Sequence, residues 1–162
     1  MKKILALLGV CLFVAACFPR LPEPPVTLES VALPVVGNKA ILWQSDDYKG
    51  KPMLVVFMGS WCPWCKKTMP AVTALKEKYG DQVEIVGAFM DGAPEPVAEA
   101  MKANGFTGKA IYDASEMAEG LGVQGLPHTI LFNNKQQVVN VWEGYRPDMY
   151  EMVSEEIDKL VK

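Results

Sequence analysis

The stretch from Met53 to Lys67, MLVVFMGSWCPWCKK, changes character at Gly59. Its first six residues are apolar without alternation and bounded by Pro52 and Gly59, which predicts a central strand buried on both faces. Pro63 suits the first turn of a helix, where no amide bond is lost. Val72, Leu75 and Tyr79, spaced by three and four, carry that helix to about residue 79, with a kink expected at Pro70. Cys62 and Cys65 thus stand where a buried strand passes into a helix, one helical turn apart.

Working outward, residues 26–42 hold short apolar pieces about Gly37-Asn38 and read as an N-terminal hairpin, and residues 46–52 read as loop. Downstream, residues 83–90 form a second buried strand, 94–104 a helix ended by Gly105, and 110–112 a short strand. Asp113-Ala114-Ser115-Glu116 has the spacing of a capping box and should open a helix that ends near 120–122. Residues 129–132 and 138–142 are strands joined through Asn133-Asn134, and 148–161 close the chain as an amphipathic helix. This order gives an α/β fold around a mixed sheet.

The 162 residues, half of them hydrophobic, suit one domain with a real core. At the amino end, Lys2 and Lys3 precede an apolar run over 4–16 that is too short to span a bilayer and reads as a secretory signal. Val14-Ala15-Ala16-Cys17 resembles the bacterial lipobox, which implies cleavage after residue 16 and a lipid, palmitate included, on Cys17. An ordinary signal ending in small residues is the alternative. Phe18 rather than Asp follows, which under the family sorting rule implies the outer membrane over the inner in a Gram-negative source. Residues 18–25, FPRLPEPP, are half proline and read as an extended tether. The expected division is signal 1–16, lipidated Cys17 and tether 17–25, and domain 26–162. Loss of Lys2 and Lys3 from 16 basic residues, against 19 acidic ones, takes the formal charge from −3 to −5. No basic stripe suggests nucleic acid, and membrane contact falls to the lipid.

Cys11 leaves with the signal and Cys17 is blocked, so Cys62 and Cys65 are the thiols of the mature chain. An exported fold with no other bridge has little reason to keep this pair for stability alone, because so short a loop removes little unfolded-state entropy. Structural zinc needs about four ligands, and the chain offers one CxxC and one histidine, so no metal is expected. Cys62 at the amino end of the helix is favoured as thiolate. It reads as the nucleophile, with Cys65 as the resolving thiol. Trp61 and Trp64 fit either an apolar rim for protein substrates or core. His128 fits either a proton relay or hydrogen-bonded packing. The methionines at 53, 58, 90, 149 and 152 read as core.

The order of elements, the WCPWC at the end of a buried strand, and Leu126-Pro127 before a later strand together resemble the thioredoxin fold. The segment 49–57, KGKPMLVVF, and Pro70 five residues after Cys65 are similar to the exported, membrane-tethered TlpA/ResA-type thiol-disulfide oxidoreductases. The resemblance covers residue 26 to the end, with 91–112 as the group's helix-and-strand insertion. It implies a redox-active Cys62–Cys65 disulfide, no cofactor, a cis Pro127 that with Leu126 docks an extended substrate, and protein disulfides as substrates. It also implies a periplasmic location and a DsbD- or CcdA-like membrane electron donor. Val56 stands where thioredoxins carry a buried Asp, so the usual proton acceptor for the second cysteine is missing.

The expected function is reduction of envelope-protein disulfides. A disulfide-forming oxidase is one alternative, although strong oxidants of this fold carry histidine where Trp64 stands. A copper module of the Sco type separates its thiols by three residues rather than two and would need His128 as a ligand. A peroxiredoxin-type peroxidase carries Pro and Thr before its cysteine, and both are absent before Cys62.

Overall fold

The computed structural model describes residues 25–162. The signal, Cys17 and the tether up to residue 24 lie outside the described residues. Seven strands form one mixed sheet in the order β2-β1-β5-β4-β3-β6-β7. They are β1 (Ala32–Val35), β2 (Asn38–Gln44), β3 (Met53–Met58), β4 (Glu84–Phe89), β5 (Lys109–Ile111), β6 (His128–Phe132) and β7 (Val138–Glu143). β3, β4 and β5 are parallel and the remaining pairs antiparallel. Four helices, α1 (Pro63–Tyr79), α2 (Pro94–Ala103), α3 (Ser115–Gly120) and α4 (Met149–Leu160), complete the fold. No helix among the described residues is long and apolar enough to cross a membrane.

β3 is buried along its whole length, as an unbroken apolar strand between two layers must be. Its side chains alternate between those layers. Leu54, Val56 and Met58 pack with Met69, Val72 and Leu75 of α1, Val97 of α2 and Val153 and Ile157 of α4. Met53, Val55 and Phe57 pack with Leu28, Trp43 and α3 on the other side. Each large side chain so enclosed contributes about 1.5–3 kcal/mol relative to exposure.

The expected hairpin is β1–β2, turning at Gly37 with φ of 90°. It joins the sheet through β5, where Val35 pairs with Ile111, so the 91–112 segment is the bridge between hairpin and central strands. Helix α1 runs unbroken through Pro70.

Two local expectations fail. Residues 46–52 are not all loop, because Ser45–Tyr48 form a 3-10 turn. The capping box does not form either. Asp113 takes a left-handed φ of 61° and gives its N–H to Asp91 O at 2.8 Å, and α3 begins after Ala114 with no side-chain cap.

Candidate active site

The turn after β3 closes when Cys62 N–H donates to Gly59 O at 3.0 Å. It leaves Cys62 as the N-cap of α1, with Pro63 in the first helical position. Cys62 Sγ accepts the Cys65 N–H at 3.2 Å, one of the amides a helix start leaves unpaired. The same sulfur lies 3.9 Å from Leu126 O, the carbonyl preceding Pro127. The Leu126-Pro127 bond is cis, as the resemblance implied. Pro127 has no N–H, and Leu126, half-buried, borders both core layers.

Cys62, although placed as the nucleophile, is largely covered. The proline loop lies over it and leaves 8% of its surface accessible, against none for Cys65. The order of access is nevertheless the one that the two roles need. Burial, with the hydrogen bond shared with Cys62, pushes the Cys65 thiol up to about 12, while the Gly59 amide pulls the other way. Cys65 is therefore a protonated thiol in the reduced protein.

Val56 is fully buried in the layer that holds both sulfurs. His128 does not replace the absent acid. In the β3–β6 ladder it pairs directly with Phe57, and directly opposed residues of an antiparallel pair share a face. Phe57 belongs to the layer opposite the thiols. The register thus turns His128 away from Cys62 and Cys65, which favours packing over a relay among the two readings of this residue and leaves a copper site without its third ligand. Burial holds the His128 pKa below its ordinary value, opposed by the charge of Glu143 across the β6–β7 pair. Among the described residues no carboxylate or imidazole hydrogen-bonds either sulfur, and no three metal-ligating side chains gather.

Trp61 and Trp64 are 59% and 51% exposed and flank the nucleophile. The Trp61 ring packs over Gly59, where a Cβ would meet it at 2.8 Å. Trp64 stacks on Tyr145, from the loop after β7, with centroids 5.5 Å apart.

A contact that the sequence reading missed steadies this turn. The Asp91 carboxylate, 7% exposed just beyond β4, accepts the Ser60 N–H at 3.0 Å and the Ser60 hydroxyl at 2.5 Å. One buried acid therefore holds the backbone two residues ahead of Cys62.

The comparisons with known proteins agree with this geometry. Residues 25–157 match the Redoxin family. The thioredoxin-like protein slr1139 of Synechocystis is 30% identical over 117 residues, 71% of this chain and 87% of that protein. Thiol-disulfide oxidoreductase ResA of Bacillus subtilis is 32% identical over 101 residues, which are 61% of this chain and 56% of ResA. The match thus spans little more than half of ResA's length. A solved DsbF homologue from Corynebacterium diphtheriae has a TM-score of 0.73 at 20% identity, covering 84% of this chain and 87% of that one. A thioredoxin-family thiol:disulfide interchange protein from Chlorobium tepidum gives 0.69 at 22%, covering 83% and 98%. At such identities the structures speak for the fold alone, and together with the family match they carry one conclusion. The chain belongs to the Redoxin family and is a thioredoxin-like thiol-disulfide oxidoreductase similar to the ResA type.

Proposed function

We infer that this chain is a membrane-tethered reductase of protein disulfides in the bacterial cell envelope, facing the periplasm in a Gram-negative cell. The observation that carries the direction is the poverty of thiolate stabilisation at Cys62. Its sulfur receives one backbone amide and no charged hydrogen-bond partner. Trp64, where an oxidant would place histidine, spends its ring on Tyr145. A poorly stabilised thiolate makes the disulfide harder to reduce and the dithiol a better donor. The expected potential lies nearer about −270 mV, as in thioredoxin, than about −120 mV.

The chemistry is a two-electron exchange. The Cys62 thiolate attacks one sulfur of a substrate disulfide, the substrate S–S bond breaks, and a mixed disulfide forms while the other substrate sulfur leaves as thiolate. Cys65 then loses its proton to the departing thiolate or to water and attacks Cys62 Sγ. The second substrate thiol is released, and Cys62–Cys65 remains oxidised. Val56, and His128 buried on the opposite face of the sheet, leave this second step without a protein base beside Cys65.

The signal, the lipid on Cys17 and the preference for the outer membrane rest on the sequence of residues 1–25. An oxidised pair in an oxidising compartment needs returning electrons, which a DsbD- or CcdA-like membrane partner would supply. A redox titration against glutathione, read with the redox state of Cys62 and Cys65 in cells, tests the direction. A potential near the oxidant end, with the pair oxidised whatever the donor, would reverse it to disulfide formation. Labelling with palmitate in wild type and Cys17→Ala tests the anchor, and an unmodified mature Cys17 would remove it.

A further inference from the structure

Beside the nucleophile stands a charged group that thiol exchange does not use. Lys67 Nζ lies 4.4 Å from the centroid of the Trp64 ring and 5.9 Å from that of Tyr145, the two rings being stacked on each other. The ring quadrupoles attract the ammonium and hold it at the aromatic faces. Neither Lys67 nor Lys66 forms an ion pair among the described residues, whereas Arg146 nearby has Asp148 at 3.5 Å. The first turn of α1 carries no acid that would neutralise them. The one buried carboxylate close by, Asp91, is taken by Ser60. In a chain with more acidic than basic residues, Lys67 thus stands as an unpaired positive charge on this aromatic rim.

The rim is also fixed in place. Gly144 N–H donates to Pro127 O at 2.9 Å, so the loop that brings Tyr145 is tied to the residue against which an extended substrate would lie. Lys67 follows Cys62 by five residues of helix, a rise of about 7.5 Å. In an extended polypeptide, residues two apart lie about 6.5–7 Å apart and point to the same side. The two spans are comparable, so a side chain two positions from the attacked half-cystine has the reach to meet Lys67 where the bound segment runs along α1.

We propose that Lys67, seated on the Trp64–Tyr145 stack, selects protein substrates that carry a carboxylate side chain two residues from the disulfide to be reduced. The occupant of this surface is an acidic, extended polypeptide segment, and the proposal rests on the reductase reading of Cys62 and Cys65. The aromatic pair supplies contact area and holds the ammonium in place, and the charge supplies the choice.

The test uses two disulfide-linked peptides identical except for Glu or Lys two residues from the half-cystine, with neutral hydroxyethyl disulfide as a reference. Wild-type protein is expected to reduce the Glu peptide about three- to fivefold faster in kcat/KM at low salt, with the gap closing at high salt. Lys67→Gln erases the preference and Lys67→Glu reverses it. Because the readout is a ratio between peptides, any change in Cys62 reactivity cancels. Tyr145→Leu, which removes the stack, weakens the preference. Equal rates for the two peptides in wild type, or an order that Lys67→Glu leaves unchanged, overturns the proposal while reduction of hydroxyethyl disulfide keeps the reductase reading. Failure to reduce any of the three overturns both.

Discussion

Where β3 and β4 begin, Glu84 Oε1 accepts the Trp43 indole N–H at 3.1 Å and the Lys109 ammonium at 2.5 Å. The same ammonium donates to the Tyr48 hydroxyl at 2.7 Å and lies over its ring. Burial alone would lower the Lys109 pKa, but the hydrogen bonds to Glu84 and Tyr48 and their charges win, and it stands raised. Where the same strands finish, the Cys62 sulfur receives one backbone amide and makes a weak contact with a carbonyl. One end of the sheet saturates its polar atoms with charged partners, and the other leaves its reactive atoms almost bare. Saturation fixes a structure, whereas a bare, buried thiol pair keeps its electrons exchangeable. The two ends should therefore respond differently to substitution.

The largest effect falls on the bare end. Cys62→Ser is expected to reduce insulin-disulfide reduction to background while leaving the urea midpoint near that of the reduced wild type. Cys65→Ser is expected to accumulate mixed disulfides with substrate, visible by non-reducing electrophoresis and mass spectrometry. Equal loss in both variants with no trapped adduct would undo the assignment of roles.

Glu84→Ala tests the saturated end. It strands the half-buried Lys109 and the Trp43 N–H, and the expected cost is about 2–3 kcal/mol, read from urea unfolding. The redox potential should not move. A shift in potential would mean that the two ends are coupled through β4.

Asp91→Ala lies between these cases, because it removes a saturated contact from the bare end. Freeing the Ser60 N–H and hydroxyl is expected to cost about 1–2 kcal/mol. It should also slow the reaction of Cys62 with hydroxyethyl disulfide, with Asp91→Asn, which keeps an acceptor, recovering part of the rate. Unchanged thiol reactivity in Asp91→Ala would confine the clasp to stability.

The smallest effect concerns His128. Its folded pKa is lowered by burial, so the unfolded chain takes up the proton first. The stability linked to this residue is complete above the unfolded value of about 6.5 and is lost as pH falls through the lower folded value. His128→Gln should flatten that part of the urea midpoint against pH and leave the pH profile of kcat/KM alone. A moved kcat/KM profile would restore the imidazole to the reaction.

The sequence made the sheet, the long helix and the thiol pair legible because each has a local signature: an unbroken apolar run, a spacing of three and four, and two cysteines at one turn. The face occupied by His128 was not legible. HTILF puts one polar residue on each face and is buried on both, so alternation is silent, and the Phe57 register alone decides it. Nor could the partial covering of Cys62 be read, since it comes from a loop 64 residues away. The Asp91–Ser60 clasp spans 31 residues and leaves no periodicity. Asp113-Ala114-Ser115-Glu116 carried the right letters for a capping box, but the backbone of Asp113 was already committed to Asp91 O. Tyr145 gave no sign of its partner, because its loop finds Trp64 only after β6 and β7 have paired.

Val26 O and Leu28 N–H bond to Val138 N–H and Gln136 O, which ties the start of the described chain to the end of the sheet opposite the thiols. The five residues of β6 separate these two ends by about 17 Å. A lipid on Cys17 would therefore attach the domain through the end opposite Cys62. Soluble proteins would approach such a site without obstruction. A donor embedded in the same membrane would have to raise a domain past the body of the reductase, or meet it tilted onto its side. The point of attachment would thus sort reductant from substrate by the direction from which each arrives.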